Sequence, residues 1–116
     1  MTQLVVDRSA LLEYLENDNQ LLHEVIEIFL ADCPAMVAAI QSAVNGCEAQ
    51  SVMNAAHALK GSVSVFGAEN AVCAAQRLES MGRQGNLKGS SEALSVLERE
   101  IVLVTSALGE IANTPG

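Results

Sequence analysis

Three residues near the middle of the chain have types and a spacing that could do chemistry: His57, Lys60 and Gly61. On a helix they share one face, about one turn apart. An imidazole can attack an electrophilic phosphorus near neutral pH, because much of it is unprotonated there and needs no general base. The ammonium of Lys60 could neutralise and hydrogen-bond a phosphoryl group on that ring. Gly61 costs a helix about 1 kcal/mol relative to alanine, and it would leave room for another protein.

The apolar pattern around these residues predicts the helix that positions them. At about 100° per residue the apolar side chains fall within a sector about 80° wide, and His57 points almost directly away from it. Met53 and Ser64 lie beside His57 in this projection, and Met53 could contact a docked partner. The sequence therefore predicts a nucleophile on the outer surface of a core helix. The apolar positions are Val52, Ala56, Leu59, Val63 and Phe66.

Hydrophobic residues at spacings of three and four predict further helices on both sides of this one. Short connections favour antiparallel neighbours. We therefore expect an all-α fold, an antiparallel up-and-down four-helix bundle with a short additional N-terminal helix. The predicted helices are a short one after Asp7 and longer ones from about Asn19 to Val44, Glu48 to Phe66, Glu69 to Arg83 and Ser90 to Leu108.

Residues near the helix ends give more local expectations. Pro34 lacks the amide hydrogen of a regular helix, which predicts a kink or a break into two helices. The pair Asn45 and Gly46 predicts the end of that helix, and Gly67 predicts a left-handed residue that closes the next one. The polar run that starts at Ser90 predicts a side-chain cap for the last helix.

Length, composition and charge restrict the class of protein. The 116 residues, half of them hydrophobic, suit one domain over residues 1–116, with 113–116 as a frayed tail. The formal charge of -8 opposes binding to nucleic acid or to an anionic membrane. The sequence shows no apolar run of the roughly 18 to 20 residues that span a bilayer, and no signal-peptide pattern. We expect a soluble, cytoplasmic protein.

Other residues that could bind a metal or a cofactor have weaker patterns. Cys33, Cys47 and Cys73 are odd in number and lack CxxC spacing, which predicts buried or half-buried free thiols. His23 lacks convincing ligand spacing and is interpreted as structural. Because the sequence has no glycine-rich nucleotide loop and no acidic triad, we expect no ATP site, cofactor or metal in this domain.

The segment that contains the three chemical residues also resembles a known family. Ala56-His57-Ala58-Leu59-Lys60-Gly61, followed by residues 62–68, closely resembles the signature of histidine-phosphotransfer (Hpt) domains of multistep two-component phosphorelays. The resemblance spans roughly residues 7–108. It continues backward through Phe29, Asp32 and Pro34 and forward through Leu78-Glu79, Gly82-Arg83 and Gly85.

The resemblance implies a role for each residue of the motif. His57 would be the phosphoacceptor, Lys60 the phosphate-stabilising cation and Gly61 the source of steric clearance, and Ser64 would hydrogen-bond the phosphoryl group or the partner. The partners would be receiver domains of a hybrid sensor kinase or of response regulators, which supply the aspartyl phosphate and Mg²⁺. The domain would be a monomeric carrier without autokinase activity.

Two other interpretations of the same residues remain open at the level of sequence. A non-catalytic helical adaptor could bind a signalling partner through the His57 face without being phosphorylated. A metal-binding helical bundle would need Glu-x-x-His pairs on facing helices, and the chain has only two histidines.

Overall fold

A computed structural model of the chain describes residues 6–113. This part is all-helical and contains no strand, so the predicted all-α class is confirmed. Of the predicted frayed tail, residues 114–116 lie outside the described residues, and Asn113 caps the last helix. The five helices are α1 Arg8–Tyr14, α2 Asn19–Asn45, α3 Ala49–Ser64, α4 Glu69–Gln84 and α5 Ser90–Ala112.

Polar residues begin the first two helices, and left-handed glycines follow the next two. The Asp7 side chain accepts a hydrogen bond from the Ala10 amide, and Asp18 does the same for Leu21, which satisfies amides that have no partner within the helix. Gly67, predicted as a left-handed residue, has a φ of 67° and follows α3. The predicted bounds therefore agree with the observed ones to within about two residues for most helix ends.

Two local expectations were wrong or only partly right. The helix α2 continues through Pro34, so the predicted alternative of a break into two helices is wrong. The same helix ends at Asn45 with Gly46 as its C-cap, as predicted, and Cys47 after it has a left-handed φ of 53°. The N-cap of α5 is Gly89 rather than a serine, and Ser90 is a buried first residue whose side chain makes no capping bond.

The four longer helices contact one another in a closed order, α2 with α3, α3 with α4, α4 with α5, and α5 with α2. The short α1 lies against α2. The Phe29 and Phe66 rings pack edge to face with centroids 5.1 Å apart, and the Ser62 hydroxyl lies 3.8 Å from the Met36 sulfur. Residues early in α2 therefore contact the end of α3, and later residues of α2 contact earlier residues of α3.

Residues of all five helices form one hydrophobic core, and α2 is the most apolar of the four longer helices. An 18-residue window of α2 has a mean hydropathy of 1.5, so by length and composition alone this helix could cross a membrane. The sequence expectation that no segment reaches that length was therefore too strict. In the structure, seven residues of this helix are buried in the core by packing against the other helices. They are Leu22, Ile26, Phe29, Cys33, Ile40, Ala43 and Val44.

The cysteines are free, as predicted, but only one is buried. Cys33 lies in the core, where burial raises the pKa of its thiol. Cys47 and Cys73 are exposed, which corrects the expectation of buried or half-buried thiols. Cys47 lies in the turn after α2, and Cys73 lies on the outer side of α4, so neither position faces the core.

Candidate functional site

The His57 ring lies on the outer surface of α3, as the helical projection predicts. Its side chain is 68% exposed, whereas the residues on the opposite side of α3 are fully buried. The buried residues on either side of it in sequence, Ala56 and Leu59, hold this part of the helix against the core. The imidazole is therefore presented to solvent by a rigid element.

A buried carboxylate on the neighbouring helix lies next to this ring. The side chain of Glu79, on α4, is only 3% exposed. Its Oε1 is 3.3 Å from Nδ1 of His57 and 2.7 Å from Nζ of Lys60, and its Oε2 is 2.6 Å from a terminal nitrogen of Arg83. A buried carboxylate without partners would be very costly, and here three nitrogens surround it.

The surroundings of Glu79 determine its ionisation. The hydrogen bond from Lys60 is the largest influence and lowers the pKa of the Glu79 carboxyl; burial opposes this, and His57 adds to the lowering. The net result is a pKa below the usual value. Glu79 is therefore ionised at neutral pH, and an ionised carboxylate can only accept hydrogen bonds.

Lys60 is held in a short chain of polar side chains between α3 and α4. Besides Glu79, its ammonium donates to Oε1 of Gln76 at 2.9 Å, and the Gln76 amide donates to the hydroxyl of Ser80 at 3.0 Å. The Lys60 side chain is 23% exposed. In the unphosphorylated chain this ammonium is therefore already paired, so it would have to share or exchange partners to contact a phosphoryl group.

The other three residues singled out from the sequence lie around His57 in different ways. A Cβ atom built on Gly61 would meet no atom within 4 Å, so the space outside this part of α3 is open. Met53 is half-buried and its backbone packs against Gly82 of α4. Ser64 is exposed, and its hydroxyl donates to the carbonyl of Gly61 at 2.8 Å, so that hydrogen is already used within the helix.

Comparison with known proteins adds a family to this geometry. The family model described as Hpt domain matches residues 24–111, which is most of the chain and includes α3, α4 and nearly all of α2 and α5. The chain belongs to the Hpt family. Hpt domains are histidine-phosphotransfer carriers of phosphorelays rather than kinases, and they are typically soluble. No curated protein and no solved structure matches the chain significantly.

Sequence reasoning did not identify the partners that α4 contributes to this Hpt domain. Glu79, Gln76 and Arg83 come from a different helix, and a projection of α3 alone cannot place them. One signal was available: Glu79 falls at the edge of the apolar sector of α4, beside Ala75 and Gly82. An acid at such a position needs a buried cation or donor nearby.

The described residues hold no group of side chains that fits a metal ion. Within residues 6–113, no three or more His, Cys, Asp and Glu side chains are grouped so that they could hold a metal ion. His23 is half-buried near the start of α2.

Proposed function

We propose that this Hpt domain accepts a phosphoryl group on His57 from the aspartyl phosphate of one receiver domain and passes it to another. The observation that carries this proposal is the pairing of a solvent-exposed imidazole with a buried, ionised carboxylate at its Nδ1 atom. A histidine that only contributed to the surface would not need a buried Glu79 beside it. The family supports a phosphotransfer role, and the geometry supports His57 as the carrier.

The Glu79 contact selects which ring nitrogen reacts. Because the Glu79 carboxylate can only accept, Nδ1 of His57 must carry the hydrogen of their hydrogen bond. In the neutral ring the other nitrogen, Nε2, then holds the free electron pair. Nε2 is thus the nucleophile.

The transfer needs no proton to leave the ring. Nε2 of His57 forms a bond to phosphorus as the bond between phosphorus and the carboxylate oxygen of the partner's aspartate breaks, and the electron pair of that bond stays on the aspartate. The phosphorylated ring keeps its Nδ1 hydrogen and gains positive charge, which the Glu79 carboxylate stabilises. The Mg²⁺ that neutralises the phosphoryl oxygens belongs to the receiver, and positioning supplies most of the remaining rate.

Lys60 and Gly61 support this reaction in different ways. The Lys60 ammonium lies one turn from His57 and, by moving part of its interaction from Glu79 and Gln76 to the phosphoryl oxygens, stabilises their charge. The open space at Gly61 allows the receiver to bring its aspartyl phosphate to the ring. Met53 and Ser64 lie at the edges of this approach and contact the receiver.

We further infer that the four longer helices form an antiparallel up-and-down bundle. Between α3 and α4, His57 meets Glu79 and Lys60 meets Gln76, so the sequence positions move in opposite directions. Between α2 and α5, Gln41 donates to Glu98. Together with the closed contact order of α2, α3, α4 and α5, these pairs support alternating helix directions.

The cellular setting follows from the same proposal. Receiver domains are the partners, and the acidic charge of -8 argues against a nucleic-acid partner. We expect the domain to act in the cytoplasm as a monomer, with no cofactor of its own. Size-exclusion chromatography with light scattering checks the monomer.

The test is transfer of a radioactive phosphoryl group from a phosphorylated receiver domain to this protein. The expected label is acid-labile and base-stable, as a phosphohistidine is, and it is lost in His57→Gln. His23→Gln is the matched control, because His23 and His57 are the two histidines of the chain, and it should be labelled normally. A label that persists in His57→Gln contradicts the assignment, and receiver binding without any label would favour a non-catalytic adaptor.

A further inference from the structure

The backbones of α3 and α4 come unusually close at one glycine. Gly82 is buried in α4, and a Cβ atom built on it would lie 2.5 Å from the carbonyl oxygen of Ala49 and 2.6 Å from the amide nitrogen of Met53. Both obstructing atoms belong to the backbone of α3. A flexible side chain could rotate away, but a helix backbone moves only as a unit, so any side chain at this position must push the two helices apart.

This close approach lies one turn from the proposed reaction centre on both helices. Gly82 follows Glu79 by three residues, and Met53 precedes His57 by four, which are the spacings of one helical turn. The two helices therefore contact each other at successive turns, and a separation introduced at one turn also separates the next. The contacting pairs are Met53 with Gly82, His57 with Glu79, and Lys60 with Gln76.

The distances show which contact depends most on this separation. Ordinary contact for a Cβ atom begins at 3.4 Å, so a methyl group at Gly82 would require the helices to move by up to about 0.9 Å. The Nδ1–Oε1 distance between His57 and Glu79 is already 3.3 Å, near the long end for a hydrogen bond. The Lys60–Glu79 contact is shorter, at 2.7 Å, and the long flexible side chain of Lys60 can follow a small movement of the helices.

We propose that Gly82 is a positioning residue of the phosphotransfer site, which holds α4 close enough to α3 for Glu79 to fix the His57 ring. Gly82 does not touch the reacting atoms. It acts through the helix separation, and its effect on transfer rests on the proposed function of His57. Its effect on the ring itself does not, because the contact between His57 and Glu79 exists in the unphosphorylated protein.

The test compares Gly82→Ala with Gly109→Ala. Gly109 also lies inside a helix, α5, but a Cβ atom there would meet nothing within 4 Å. The readout is the ¹⁵N chemical shift of both His57 ring nitrogens in the unphosphorylated protein, at a pH where the ring is neutral. We expect the hydrogen on Nδ1 in the wild type and in Gly109→Ala, and a shift towards the Nε2-protonated form in Gly82→Ala. Phosphotransfer should slow roughly tenfold to a hundredfold in Gly82→Ala alone.

A folded Gly82→Ala protein that keeps the hydrogen on Nδ1 would overturn the proposal. If circular dichroism shows that this variant does not fold, Glu79→Asp decides instead. It withdraws the carboxylate by about 1.5 Å while Gly82 and the helix packing stay in place. An unchanged ring tautomer in Glu79→Asp would mean that a separation of this size does not control the ring. Failure of every receiver to label His57 would contradict the proposed function but leave the tautomer result standing.

Discussion

Lys60 and Glu79 form an ion pair across two helices, with Nζ and Oε1 2.7 Å apart, directly beside the exposed His57 ring. In the proposed mechanism, the pair links the cation that would stabilise the phosphoryl group to the carboxylate that would orient the imidazole. The polar groups of the proposed site are already arranged in the unphosphorylated protein. Such preorganisation reduces the rearrangement required when the partner docks.

The stability of the domain should depend on pH through Glu79. The pKa of this carboxyl is lowered in the folded protein, so its contribution is fully present above the unfolded value, near 4.5, and is lost as the pH falls from there through the lower folded pKa. Glu79→Gln should therefore lower the free energy of unfolding by about 2 kcal/mol at pH 7. Most of this comes from the lost ion pair with Lys60, because Arg83 is more than half exposed. Urea unfolding of both proteins between pH 7 and pH 3 measures this.

The difference in the free energy of unfolding between wild type and Glu79→Gln should shrink as the pH falls from 7 to 3. Glu27→Gln serves as the matched control, since Glu27 is exposed on α2, and it should change the stability little at any of these pH values. A constant difference at all pH values would show that the charge of Glu79 is not what stabilises the fold.

Substitutions at Gly61 should separate folding from docking. Because the space beyond this glycine is open in the unbound protein, Gly61→Ala should raise the free energy of unfolding by up to about 1 kcal/mol, and its small methyl group should slow transfer less than a larger side chain does. Gly61→Glu should also fold, but it places bulk and negative charge where the receiver's phosphate must arrive, so transfer should fall by at least about tenfold. Thermal unfolding and a transfer time course measure the two effects. Normal transfer in Gly61→Glu would mean that the receiver approaches from another side.

Removing the charge of Lys60 should weaken the phosphorylated state. In Lys60→Met the phosphoryl oxygens lose a charge-assisted hydrogen bond, and the phosphorylated fraction at equilibrium with a receiver should fall roughly tenfold. Lys88→Met, in the exposed turn before α5, removes the same charge away from the site and should behave as the wild type. Equal losses in the two variants would point to net charge rather than to a contact at His57.

The sequence carried enough information to predict the helices, because their apolar stripes and several of their ends are local features. Asp7 caps α1 by binding an amide three residues away, and Gly67 closes α3 through its own φ angle. Ser90 was misassigned for the same local reason. Its type favours a cap, but the left-handed Gly89 already fills that position, and the chain direction into the core buries Ser90 instead.

The site could be predicted only as far as one helix reaches. His57, Lys60 and Gly61 lie within five residues of one another, so a single projection shows that they share a face. Glu79 is 22 residues from His57, and the two meet only because α3 and α4 pack in a particular register. In that register the two backbones approach closely at Gly82, a packing property that no periodicity in the sequence records.

The charges around Glu79 have a consequence for the direction of the relay. Lys60 and Arg83 carry two positive charges and Glu79 carries one negative charge. These three side chains therefore have a net positive charge, on a protein whose net charge is -8. By the proposed mechanism a phosphoryl group brings roughly two negative charges while the ring gains one positive charge, so the loaded site is about neutral. An empty site would therefore attract an anionic aspartyl phosphate more strongly than a loaded one. Occupancy of the proposed carrier would then disfavour a second loaded donor relative to a receiver whose aspartate is free.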